Sequence, residues 1–340
     1  MMMHQSYSSR PKNVTSGNIT IPMRRILFSI SRVWEIVKDA PVKKHFTFGP
    51  HAGIMRTMRG LLFLRKDPVG AAVIVCLFAV GLIGLPYDQV GSLLSDDPLT
   101  ASLSGLIVCR AAGLAVMLFL YVQLGFSFGT RRLQKGAPLM VLPALLVAVN
   151  NAPLIALFSG AAGVTAGAGQ VALFALECIF VASFEELTFR GIIFPLMLQR
   201  FGSGKRARLT AVLVSSALFG LTHLLNLFSG AGIASTLLQA GYTFLIGAML
   251  AVVLLCTGSL ALCIVLHAVY NFGGLLVPTL GYGAFADLWN IPTIVVTALI
   301  AVAAIVFYWN RLLCARSECA VQLYRLTAEQ RFLLRGALLL

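Results

Sequence analysis

Apolar residues in this chain come in long unbroken stretches rather than in the alternations of a half-buried strand or the one-sided stripes of a soluble helix. Windows of about 20 mostly apolar residues are what a helix needs to cross the hydrocarbon core of a bilayer. Eight such windows occur, at approximately 69–87, 100–124, 137–159, 170–198, 208–228, 233–256, 259–278 and 291–312. The pattern predicts an all-α polytopic membrane protein with about eight transmembrane helices. Before the first window the pattern differs. Residues 1–22 are polar and read as a disordered tail, whereas Met23, Ile26, Leu27, Ile30, Val33, Trp34 and Val37 recur at helical spacing with Arg24, Arg25, Arg32, Glu35 and Lys38 on the opposite face. That spacing predicts a basic amphipathic helix in the headgroup layer, within a basic interfacial region over 23–67. The first strongly apolar run begins near Val69, far from the N-terminus, so no secretory signal is expected.

Composition agrees with this reading and charge orients it. Of the 340 residues 59% are hydrophobic and only 11% charged, against about 25% charged in soluble domains. The net charge of +14 could suggest nucleic acid, but Lys and Arg collect between the apolar runs, so no nucleic-acid partner is expected. Twelve of the 26 precede the first window; Arg131, Arg132 and Lys135 fill the second connection, Arg200, Lys205, Arg206 and Arg208 the fourth, and Arg311, Arg316, Arg325, Arg331 and Arg335 the tail. The alternate connections are neutral or acidic, with Asp88, Asp96 and Asp97 in the first and Asp287 in the seventh. Basic loops favour the cytoplasmic side, so both termini are expected there, with anionic lipid as a partner of the basic N-terminal region. Seven cysteines show no metal-type pairing beyond the loose Cys314/Cys319 interval, and no cofactor or metal is expected.

Candidate chemistry is sparse and therefore conspicuous. Between Pro98 and Ala286 the only acidic residues are Glu177, Glu185 and Glu186. A charge at bilayer depth costs about 2.5–3.5 kcal/mol even on lenient scales, which makes the adjacent pair a candidate functional site. Glu186 and Arg190 are four residues apart and can pair on one helix face, while Glu185, turned by about 100 degrees, points elsewhere. His223 closes the interval Phe219–His223, and His267 opens the interval His267–Asn271, so that His267 and Asn271 form one polar ridge. At about 1.5 Å per residue, Glu185, His223 and Asn271 lie about 20 Å from the basic or neutral end of their windows, and His267 about 14 Å. Arg110, Asn150 and Asn151 are also within windows, either lining a polar interior or linking helices.

A carboxylate beside an imidazole can hold and deprotonate water, and a second imidazole with an amide can supply donors to an oxyanion. The inventory fits hydrolysis of a peptide bond. A zinc protease would use similar residue types, although no His-Glu-x-x-His sequence is present. A non-catalytic scaffold or immunity protein and a transporter with a Glu/His proton relay are further readings.

The set Glu185-Glu186-x-x-x-Arg190, Phe219-x-x-x-His223 and His267-x-x-x-Asn271, in this order on successive apolar segments, resembles the motifs of the CAAX prenyl protease and bacteriocin-processing (CPBP, or ABI) family of intramembrane glutamic endopeptidases. The resemblance covers roughly Gln170 to Pro278 and no matched position departs from the pattern. It implies a four-helix catalytic core over 170–278, which the apolar windows flank with three helices over 68–169 and with the last helix and basic tail over 279–340. It implies that Glu185 with His223 activates water, that His267 with Asn271 forms the oxyanion site, and that Glu186, Arg190 and Phe219 support them. The implied substrate is a peptide or protein in the membrane, and the expected location is a bacterial inner (plasma) membrane.

Overall fold

In a computed structural model the chain is described at residue 61 and over residues 63–126 and 137–325, all within one of its two compact units. The expected amphipathic helix after Met23, the loop around Arg131, Arg132 and Lys135, and Arg331 and Arg335 of the tail lie outside the described residues. The described chain is almost wholly helical: α1 (Pro68–Ile83), α2 (Tyr87–Ser92), α3 (Pro98–Gln123), α4 (Ala137–Asn150), α5 (Leu154–Ser159), α6 (Ala168–Glu186), α7 (Phe194–Phe201), α8 (Lys205–Thr222), α9 (Ile233–Thr257), α10 (Leu260–Leu280), α11 (Phe285–Leu288), α12 (Ile291–Cys314) and α13 (Ser317–Tyr324). Two short strands, β1 (Gly163–Val164) and β2 (Gly281–Tyr282), pair antiparallel. It is an all-α polytopic membrane protein.

Local sequence accounts for the helix limits. Pro98 opens α3 behind Asp97, whose carboxylate accepts from the Thr100 amide at 2.8 Å, and Asn290 caps α12 by accepting from the Thr293 amide at 3.0 Å. Gly258 ends α9 in the left-handed region at φ 72°, and Ser259 then accepts from the Leu262 amide to start α10. Thr257-Gly258 therefore reverses the chain between two membrane-length helices with almost no loop.

The expected count of eight spans is not confirmed. Six helical segments among the described residues are long and apolar enough to cross a membrane: Pro68–Ser92, Pro98–Gln123, Lys205–Ser229, Ile233–Thr257, Leu260–Leu280 and Ile291–Cys314. The window at 137–159 divides into α4 and α5. Fourteen residues of α4 rise only about 21 Å, short of a bilayer core of about 30 Å. The window at 170–198 contains Glu177, Glu185, Glu186 and Arg190 and changes from α to π geometry over Leu187–Ile193.

Packing brings the connections together at two ends. At one, Asp97 also accepts from Gln170 Nε2 at 3.1 Å, and the β1–β2 ladder ties residues 163–164 to 281–282. At the other, Arg65 donates to Gln199 Oε1 at 2.9 Å, to the Leu124 carbonyl at 3.3 Å and to the Tyr324 carbonyl, while its guanidinium lies over the Phe126 ring. Arg208 reaches the Ser203 carbonyl and, at 3.4 Å, Ser317 Oγ.

The core lies between these ends. Helix α6 packs on α3 and α10, and α8 runs along α9. Gly220 permits the second approach, since a Cβ there would stand 2.7 Å from the Ala240 carbonyl oxygen. Arg110 donates to the Leu82 and Ile83 carbonyls and lies over Phe184, Asn150 donates to Thr297 Oγ1, and Asn151 to the Tyr270 carbonyl. These three buried or half-buried polar groups link helices to one another. The Asn151 bond ties α10 to the segment after α4.

Candidate active site

The two glutamates are the last residues of α6, and the change to π geometry begins immediately after them. A π turn holds more residues than an α turn, so it shifts the side chains that follow relative to those before; such turns recur at functional sites. Within it Arg190 Nη1 comes 3.1 Å from Glu186 Oε1, a charge contact not aligned as a hydrogen bond. The guanidinium carbon also lies 4.4 Å from the centre of the Phe219 ring. The expected Glu186–Arg190 pair is formed, fully buried.

Phe219 is the hub on α8. Besides Arg190, its ring meets His223 edge-on at 5.1 Å and His267 edge-on at 5.9 Å. Its carbonyl oxygen is 3.1 Å from His223 Nδ1. A carbonyl can only accept, so that contact requires a proton on Nδ1 and leaves Nε2 of a neutral His223 as the basic nitrogen. His223 also begins a 3-10 segment, His223–Ser229, that closes with Gly230 in the left-handed region.

His267 on α10 joins the two carboxylates. Its Nδ1 is 2.7 Å from Glu186 Oε1, and its Nε2 is 3.5 Å from Glu185 Oε2. Glu186 therefore has a second partner beyond Arg190, which spacing along the chain did not indicate. The imidazole thus stands between the two carboxylates, with one ring nitrogen facing each. One turn along α10, Asn271 is buried, and its Nδ2 has no hydrogen-bond partner among the described residues.

Glu185, His223, His267 and Asn271 all line a single narrow cavity, with Phe219 in its wall. Glu186 and Arg190 stand behind it. The remaining wall comes from Tyr270 and from one face of α9, where Gln239, Tyr242, Thr243 and Ile246 follow at helical spacing. None of these was singled out from the sequence. Gln239 accepts a hydrogen bond from Asn226 Nδ2 at 2.7 Å, and both side chains are buried. Asn226 lies three residues after His223, on its face of a 3-10 segment, a signal that reading every interval as an α-helix passes over.

The arrangement holds a carboxylate and a basic imidazole nitrogen on one cavity, with an unpartnered amide donor and a second imidazole on the same cavity. That is a donor and acceptor set able to polarise water and receive an oxyanion. Among the described residues no group of three or more His, Cys, Asp or Glu side chains is arranged to hold a metal ion.

Residues 167–273 match the family model described as Type II CAAX prenyl endopeptidase Rce1-like. The matched segment contains all seven motif residues from Glu185 to Asn271 and covers less than a third of the chain. It bears out the resemblance drawn from those motifs, and the family it points to is one of CAAX-type intramembrane proteases. No curated protein and no solved structure matches the chain.

Proposed function

We propose that this chain, whose core carries the Rce1-like CAAX endopeptidase match, is an intramembrane endopeptidase that cleaves a peptide bond of a lipidated or otherwise membrane-associated protein by a water activated between Glu185 and His223. The observation that carries the reading is the convergence of Glu185, His223, His267 and Asn271, from α6, the end of α8 and α10, on one buried cavity. Polar groups linking helices need not gather this way, and Arg110, Asn150 and Asn151 do not.

In this reading Glu185 takes the proton of water while His223 Nε2 accepts its other hydrogen, and the oxygen attacks the scissile carbonyl carbon. The carbonyl electron pair moves onto oxygen, where Asn271 Nδ2 and the Nε2–H of His267 receive it. The tetrahedral intermediate then collapses. The C–N bond breaks as Glu185 returns its proton to the departing amine, leaving a carboxylic acid and a new amino terminus. Glu186, bonded to His267 Nδ1 and held by Arg190, orients the imidazole and supports its charge. Both termini on the cytoplasmic side, as the charge distribution suggests, would make the basic end the side from which substrate arrives.

The test is cleavage of a prenylated peptide ending in Cys-aliphatic-aliphatic-X by purified protein, followed by mass spectrometry with and without chelator. Release of a C-terminal fragment in chelator is expected. Activity lost in chelator and restored by zinc would favour the metalloprotease, and bound but uncleaved peptide would favour a scaffold.

A further inference from the structure

Phe219 meets both imidazoles and the Arg190 guanidinium, so whatever seats Phe219 and Arg190 also sets where the motif residues stand relative to one another. Arg190 is only 1% exposed, yet neither of its terminal nitrogens makes a hydrogen bond among the described residues. What holds the guanidinium is the charge contact with Glu186 and the stack on the Phe219 ring, neither of which is a directed hydrogen bond. Its seat is therefore set by the shape of the packed wall around it.

Helix α9 closes that wall at Gly247, a buried residue next in sequence to the cavity-lining Ile246. A Cβ at this position would stand 3.1 Å from Arg190 Nη2, 3.2 Å from Phe219 Cδ1 and 3.3 Å from Ser216 Cβ, all short of the 3.4 Å at which ordinary contact begins. Two of these three neighbours belong to the motif set, and the third lies three residues before Phe219 on α8. The shortfall would make the neighbours give way by a few tenths of an ångström, so the stack would move without the helices having to part. Two other glycines differ. At Gly220 a Cβ would meet backbone, the Ala240 carbonyl oxygen at 2.7 Å, and at Gly241, on α9 itself, it would meet nothing within 4 Å.

We infer that Gly247 is a positioning residue: its missing side chain lets Arg190 seat on Phe219, and through the Phe219 ring it sets where His223 and His267 stand on the cavity. Alanine is the better helix former, so a buried glycine in the middle of α9 gives up helix stability in exchange for this close approach. The inference rests on the endopeptidase reading for its effect on rate, but not for the displacement of the two rings.

The experiment compares the native full chain in detergent with Gly247→Ala, Gly241→Ala, Ser216→Gly and the double variant Gly247→Ala/Ser216→Gly. Each is followed by cleavage of the prenylated peptide described above, by thermal unfolding and by the ring resonances of His223 and His267 in protein labelled with 15N-histidine. Gly247→Ala is expected to lower kcat about tenfold with KM within about twofold, since a misplacement of about 1 Å can cost about a hundredfold and this shift is smaller. The two ring resonances are expected to move with it. Gly241→Ala is expected to change neither. Ser216→Gly removes one of the three contacts but weakens α8, so in the Gly247→Ala background it is expected to raise kcat about threefold while lowering the melting temperature. A role in stability alone would move rate and melting temperature together. Unmoved ring resonances in a folded Gly247→Ala protein would overturn the inference, as would a native kcat or a double variant whose rate falls with its melting temperature. Should Gly247→Ala not fold, the double variant is compared with Ser216→Gly, and the lower kcat and moved rings are expected there. If the native protein leaves the peptide uncleaved, the endopeptidase reading fails, while moved rings in Gly247→Ala still uphold the positioning role and unmoved rings overturn it.

Discussion

Removing the Arg190 guanidinium tests whether the site rests on a buried charge network. Arg190 and Glu186 are both essentially inaccessible, with Nη1 3.1 Å from Oε1. At an effective dielectric of about 20 that separation corresponds to an attraction of about 5 kcal/mol, opposed by the cost of burying both ions. Arg190→Met fills similar volume but leaves Glu186 buried with His267 as its remaining partner, and it also loses the contact over Phe219. Breaking a buried pair from one side costs about 3–5 kcal/mol. Glu186→Gln strands Arg190 instead, while the amide oxygen can still accept from His267 Nδ1. The double variant removes both charges, and its loss is expected to be smaller than the sum of the single losses by about 1–3 kcal/mol. Thermal unfolding of the four proteins in one detergent measures this, with each single variant melting well below the native protein and the double variant above the sum of their shifts. Strict additivity would show that the two charges do not interact and would refute the network.

Three further outcomes are expected. Asn271→Ala should lower the cleavage rate by about 10²–10³ with substrate affinity and thermal stability nearly unchanged, and Asn271→Asp should be slower still because a fixed carboxylate repels the forming oxyanion; kcat and KM measured separately check both. Asp97 is exposed and its bonds to Thr100 hold its carboxyl below the usual carboxylate range. A depressed folded-state value means stabilisation that is present above the ordinary carboxylate range and lost as pH falls through the lower folded-state value. Melting temperature followed into acid should therefore drop less for Asp97→Asn than for the native protein. Single cysteines near Lys205 and Ser317 should label from the cytoplasmic side and those near Ser95, Gly167 and Gly283 from the other, and any exchange between the groups would change the topology.

What the chain disclosed in advance follows from the kind of signal each feature carries. Long apolar runs and motif residues at intervals of four are local, and they located α3, α8, α9, α10 and α12 and five of the cavity-lining residues, Glu185, Phe219, His223, His267 and Asn271. Hydropathy averaged over a window does not register a break, so 137–159 passed as one span although the chain turns between Asn150 and Leu154. Backbone register is set by packing, so the π segment after Glu186 had no local sign. The contact of His267 with Glu186 joins residues 81 apart, whereas spacing alone offered only Arg190. Asn226 was hidden by counting in fours through a segment that winds in threes, and Gln239 by being a lone amide among apolar neighbours.

The central claim is that Glu185 is the base. The most direct measurement is kcat/KM for the prenylated peptide with Glu185→Gln against the native protein, in chelator, after confirming equal melting temperatures. Glutamine keeps the shape of the side chain and removes its ability to take a proton. The account predicts a fall of at least about 10²–10⁴. Near-normal turnover by a well-folded Glu185→Gln protein would contradict it.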